Sequence, residues 1–289
     1  MNRTLALTVL GMFSLFTTTS AQDVKEPQIT NKEWAQPYEP FRIVGNVYYV
    51  GTYDLSCYLI VTTQGNILIN TGLAASTPII KSNIETLGFK LSDIKILLTT
   101  QAHYDHVGAM AEIKKMTGAE LWADEKDAPV IEDGGKSDYE LGKNGVSFQP
   151  VKVDKRLKDG DEIKLGDTRL TMLHHPGHTK GSCSYSMDVK DDGKIYKVLI
   201  ANMPTIVTPR RFGSIPLYSG IAEDYAYTFN ALKNLDFDLW LSSHAGQFNL
   251  HAKRKPGDPY NPEVFRDREG YDASLQGLDA SYKKKIEEK

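Results

Sequence analysis

Residues 99–110 read TTQAHYDHVGAM. They follow KILLTT (95–100), a short apolar run of buried-strand character, and lead into 108–116, whose spacing predicts a helix stopped by Thr117-Gly118. A loop between strand and helix holds side chains rigidly at one sheet edge, where they can converge on an ion. His103, Asp105 and His106 lie within four residues and offer two imidazoles and a carboxylate, all donors suited to zinc. A solvated polar turn would account for one histidine, but not for two around an aspartate at an apolar strand end.

Outward from this stretch the chain alternates strands and helices. Upstream, 41–50 (FRIVGNVYYV), 56–61 and 66–70 read as consecutive strands, punctuated by Gly51 and Gln64-Gly65. A helix is predicted over 77–87, with Ile79, Ile80, Ile84 and Leu87 on one face and Gly88 past its end. Downstream, 133–144 is rich in Gly, Lys and Asp and reads as a mobile surface loop. Further strands are expected near 162–165, 168–174, 182–188, 196–201 and 239–242, with helices over 221–235 and from about 262. No short-period repeat and no Pro- or Ser-rich linker divides the chain, so the pattern predicts one layered α/β body.

Two more histidines leave strand ends. In HHPGHTKGS (174–182), Pro176-Gly177 forces a turn that aims His178 out of the strand line. LWLSSH (239–244) is an apolar strand with His244 at its exit. Each alone would read as an ordinary histidine; as later members of a set at strand ends they become candidate ligands. His174, His175 and His251 lack that setting and read as structural.

Net charge is −3, with 40% hydrophobic and 25% charged residues. Such a composition excludes a disordered or collagen-like chain, and without a positive field neither nucleic acid nor an anionic bilayer is a main partner. Residues 1–21 read as a secretory leader: Arg3, then an apolar run over 5–16, too short for the roughly 20 residues of a membrane span, then Thr19-Ser20-Ala21. The expected mature chain, 22–289, is a single exported domain, periplasmic in a Gram-negative host and not held by a membrane. Cys57 and Cys183 could pair in that compartment, but their strand-like settings favour free buried thiols.

The order strand, [His/Gln]-x-His-x-Asp-His, helix, then Pro-Gly-His-Thr, then a strand-end histidine resembles the metallo-β-lactamase superfamily. NILINTG (66–72) looks like the strand preceding that family's metal loop, and the match runs over nearly all of 41–251. The pattern is similar to subclass B3 enzymes of the GOB type, which also carry glutamine for the first histidine, here Gln101, and a methionine after the late strand, here Met203.

The resemblance implies a four-layer αβ/βα sandwich with metals in the groove between its sheets. One site would use Gln101, His103 and His178, and the other Asp105, His106 and His244, for one or two Zn2+ per chain. A neutral amide is a weaker zinc ligand than imidazole, so the Asp105–His106–His244 site is expected to be the tighter. The implied activity is hydrolysis of the β-lactam amide of penicillins, cephalosporins and carbapenems by metal-bound hydroxide. Asp105 would serve as ligand and as relay of a proton to the departing nitrogen. Thr205 would lie where B3 enzymes place a hydroxyl near the substrate carboxylate, or be a plain loop threonine. A thioesterase or lactonase of the same fold would supply a bridging aspartate after the late strand, whereas Ala201-Asn202-Met203-Pro204 has no carboxylate. A non-catalytic metal-binding scaffold is the remaining alternative. The chain is expected to act as a monomer on a small-molecule β-lactam.

Overall fold

Alternating side chains along short strands build two sheets in this computed structural model, which describes residues 23–288. The expected leader, 1–21, lies outside the described residues. The first sheet runs in the order β1 (Phe41–Val44), β2 (Val47–Tyr49), β3 (Tyr58–Thr62), β4 (Gly65–Ile69), β5 (Ile94–Leu98), β6 (Glu120–Asp124), β7 (Lys155–Leu157). Pairing is antiparallel from β1 to β4 and parallel from β4 to β7. The second sheet contains β8 (Glu162–Leu165), β9 (Thr168–His174), β10 (Cys183–Asp191) and β11 (Lys194–Ala201), an antiparallel meander, with β12 (Leu239–Ser242) parallel to β11.

The two-residue period of a strand separates the layers. Ile67 and Ile69 on β4, with Ile96 and Leu98 on β5, face Met172, Tyr185 and Val198 of the second sheet. Leu68 and Leu97, one position along, face the opposite way into a second core. That outer core is covered by α1 (Thr77–Thr86), which buries Ile80 and Ile84, and by α3 (Met110–Thr117), which buries Met110 and Ile113; the single turn α2 (Tyr104–Val107) precedes α3 and α4 (Ala128–Glu132) follows β6. Against the other sheet lie α5 (Ile221–Lys233) and, beyond the short α6 (Leu250–Lys253), α7 (Arg268–Ile286), with Tyr225, Phe229, Leu232, Tyr271 and Leu275 buried. Each such side chain contributes about 1.5–3 kcal/mol of burial. The result is the expected four-layer αβ/βα sandwich.

Two expectations need correction. Residues 41–50 are not one strand but a hairpin, β1 and β2, because Gly45 turns the chain at φ +51° where a Cβ would meet the Lys190 carbonyl at 2.5 Å. The 133–144 segment is not a mobile surface loop: Asp138, Tyr139 and Glu140 are buried. Two of its carboxylates turn inward, with Glu140 accepting from Thr208 Oγ1 and from Arg210 Nε, while Lys136 and Lys143 stay exposed. Cys57 and Cys183 are free and buried, as the strand patterns implied, and burial raises both thiols. Among the described residues no helix is long and apolar enough to cross a membrane.

Candidate metal centre

The strand ends of both sheets deliver their side chains to one place. After β5 the chain is stitched to β4 by Asn70, held at φ +63°, whose Oδ1 accepts from Thr100 N–H at 2.9 Å and from the Thr99 hydroxyl at 3.2 Å. His103 then stands at the entry of α2, and that one turn carries Asp105 and His106. In the second sheet, Gly177 takes φ +128° against the ring of Tyr225 and swings His178 inward. His244 leaves β12 ahead of a turn over Ala245–Phe248.

Asp127 joins the loops that carry His103 and His178. Its buried carboxylate accepts from Ala102 N–H at 2.8 Å and the Thr179 hydroxyl at 2.6 Å on one oxygen, and from Gly181 N–H at 2.8 Å on the other. Burial raises this carboxyl to about 6.

Six side chains were expected here, and five converge. Asp105, His106 and His244 bring one donor atom each to within 4.8 Å of one another. Asp105 Oδ2 lies 3.2 Å from His106 Nε2 and 3.5 Å from His244 Nε2. His178 Nε2 lies 3.2 Å from His103 Nδ1. Gln101 is buried on the same loop, but its Oε1 accepts from Asn202 Nδ2 at 3.4 Å, and among the described residues no hydrogen bond joins it to His103 or His178. Thr205 sits behind His178: its carbonyl lies 2.8 Å and its hydroxyl 3.0 Å from Nδ1. Met203 is fully buried in the core between the sheets.

The protonation states follow from burial and charge. Burial drives His178 down to about 3, helped by repulsion from His103, and holds His106 below the ordinary imidazole range. Burial opposes the Asp105 carboxylate, but His106 and His244 outweigh it and hold it well below its usual range. For His244 burial is likewise overcome, by Asp105 and Asp54, which raise it to about 9. Both ring nitrogens of His106 are buried without a well-formed hydrogen bond: Nδ1 has none, and Nε2 has only the Asp105 carboxylate at 3.2 Å, poorly aligned. A buried imidazole so poorly partnered is costly, and three N and O donors meeting at one point are what a zinc ion requires, so the residues fit that group.

Two carboxylates of the centre were not legible in the sequence. Asp54 Oδ2 accepts from His244 Nδ1 at 2.9 Å across 190 positions of chain, beyond any spacing rule. Asp138, in the segment read as a surface loop, places Oδ2 3.4 Å from His103 Nε2. Burial opposes its charge, yet His103 and two backbone N–H groups hold it down at about 2. Partners of this kind fix the ring orientation of ligating histidines.

A family model described as the metallo-beta-lactamase superfamily matches residues 50–192. The metallo-beta-lactamase GOB-18 from Elizabethkingia meningoseptica is 59% identical and superposes with a TM-score of 0.92, over 93% of this chain and all of that one. The class B3 di-zinc metallo-beta-lactamase LRA-12 from an Alaskan soil metagenome is 63% identical with a TM-score of 0.90, over 91% of this chain and all of that one. A hydroxyacylglutathione hydrolase from Bradyrhizobium sp. (strain BTAi1) is 35% identical over 124 residues, covering 41% of this chain; the chain spans 40% of that curated relative's length.

Proposed function

Since the chain belongs to the metallo-β-lactamase superfamily, among subclass B3 enzymes of the GOB type, we propose that it is a zinc-dependent β-lactamase acting on penicillins, cephalosporins and carbapenems. The observation that carries this is the meeting of Asp105, His106 and His244, beside His103 and His178, in a chain alike along more than nine-tenths of its length to two such enzymes. Asp105, His106 and His244 would hold one zinc ion, and Gln101, His103 and His178 a second. Bound zinc supplies a Lewis acid for the lactam carbonyl and acidifies water at neutral pH.

The chain's own groups do the rest. Asp105, kept ionised by two imidazoles, can accept a proton and pass it to the nitrogen released when the four-membered ring opens. His106 and His178 are neutral at pH 7 and so offer lone pairs. Thr205, whose hydroxyl lies 3.0 Å from His178 Nδ1, would offer that hydroxyl to the substrate carboxylate. The stronger donor set predicts that the Asp105 group fills first. We further propose export to the periplasm through cleavage after Ala21, and action as a monomer.

The hydroxyacylglutathione hydrolase likeness raises thioester hydrolysis as a second reading. Against it stands 201–204, whose Asn202 and Met203 offer no carboxylate to bridge two ions. Hydrolysis of a chromogenic cephalosporin, lost with a chelator and restored by zinc, is the test. A protein that binds zinc and leaves every β-lactam class intact would exclude the lactamase reading, and thioester and lactone substrates on the same sample would then separate a sister hydrolase from a scaffold.

A further inference from the structure

The segment ahead of β1 is pinned beside the centre. Tyr53 N–H donates to the Gln36 carbonyl at 2.8 Å, and Pro37 bridges to Thr52. It carries a short turn, Lys32–Trp34, opened by Asn31, whose side chain accepts from Glu33 N–H. The Trp34 indole N–H donates to Asp54 Oδ2 at 3.0 Å, the same oxygen that faces His244 Nδ1 at 2.9 Å. Asp54 Oδ1 is taken by Gly246 N–H at 3.0 Å. The indole ring lies 5.6 Å from the His244 ring and 6.3 Å from that of Tyr104, the neighbour of Asp105.

We propose that Trp34 is a positioning residue of the metal centre, acting through Asp54 on His244. A carboxylate only accepts hydrogen bonds, and donors on both oxygens lock its rotation. Locked, Asp54 accepts the Nδ1 proton of His244 and turns Nε2 toward Asp105, the side from which a zinc ion would be bound. The half-buried indole also covers the pair, whose side chains are 13% and 18% exposed, and keeps water from competing for Oδ2. The segment before the first strand is therefore part of the centre rather than a tail. This inference rests on the zinc reading above.

Trp34→Phe keeps an apolar ring and removes the donor. Chelator competition should show zinc affinity of the Asp105–His106–His244 group falling about three- to tenfold in that variant and about 10- to 100-fold in Asp54→Ala. The double variant should match Asp54→Ala alone, because Trp34 acts through the carboxylate. In zinc-free protein the downfield imidazole N–H resonance of His244 should shift in Trp34→Phe and vanish in Asp54→Ala. Unchanged zinc affinity in Trp34→Phe, or an equal further loss in the Asp54→Ala background, would overturn the role of Trp34 alone. Wild-type protein that takes up no zinc would instead overturn the zinc reading.

Discussion

His178 and His244 each leave a strand-end turn and reach the same centre, yet they are held by different chemistry. His178 Nδ1 faces the Thr205 carbonyl, a backbone group that no substitution removes. His244 Nδ1 faces the Asp54 carboxylate, a side chain that can be lost. Their neighbours differ in the same sense: His244 shares its group with the ionised Asp105, and His178 has the neutral amide of Gln101 on the adjoining loop. Of the two late histidines, one is thus set by charge and the other by backbone and burial, and only the His244 half has a carboxylate among its own candidate ligands. The charged half should bind its ion more firmly and also be the easier to dismantle.

The largest effect should follow from removing that charge. Asp105→Asn leaves the volume but takes away the anion between His106 and His244. Zinc content should fall and kcat/KM for a cephalosporin should drop by at least about a hundredfold, read by metal analysis and steady-state kinetics. A variant with full metal content and activity would erase the distinction between the halves.

Next comes the carboxylate both halves depend on. Asp127→Ala leaves the N–H groups of Ala102 and Gly181 and the Thr179 hydroxyl without their buried acceptor. A loss of about 2 kcal/mol in urea unfolding is expected, with zinc affinity of both groups weakened together. Weakening of one group alone would show that the loops are not coupled through Asp127.

The sequence was legible where local pattern and chemistry agreed. Strand periodicity in 66–70 and 95–100 and the residues leaving the strand ends were sufficient for most strands of the two sheets and for five side chains that converge. It was illegible where partners are remote or composition misleads. Nothing near Asp54 points to His244, and the Gly, Lys and Asp content of 133–144 suggests a solvated loop although Asp138 and Glu140 turn inward. The strands β6 and β7 were also unread, since β7 is only three residues, two of them exposed.

Gln101 sharpens the comparison from the other side. Gln101→His would put an imidazole where the amide now meets Asn202. Zinc affinity of the His103–His178 group should rise about tenfold in a chelator titration, narrowing the gap between the halves. Unchanged affinity would remove Gln101 from the ligand set and leave that group with two imidazoles.

The smallest effect separates the two parts of Thr205. A neutral His178 carries one proton on Nδ1, and the carbonyl at 2.8 Å is the better placed acceptor than the hydroxyl at 3.0 Å. The hydroxyl is then spare for substrate. Thr205→Val keeps the carbonyl and the side-chain shape, so zinc affinity should hold while KM for a β-lactam rises about threefold with kcat little changed, the size of one neutral hydrogen bond. Were zinc affinity to fall and KM to hold, the hydroxyl would belong to His178, and the backbone would not suffice to orient that ring. The contrast with Asp54 would then disappear, because both late histidines would depend on a removable side chain.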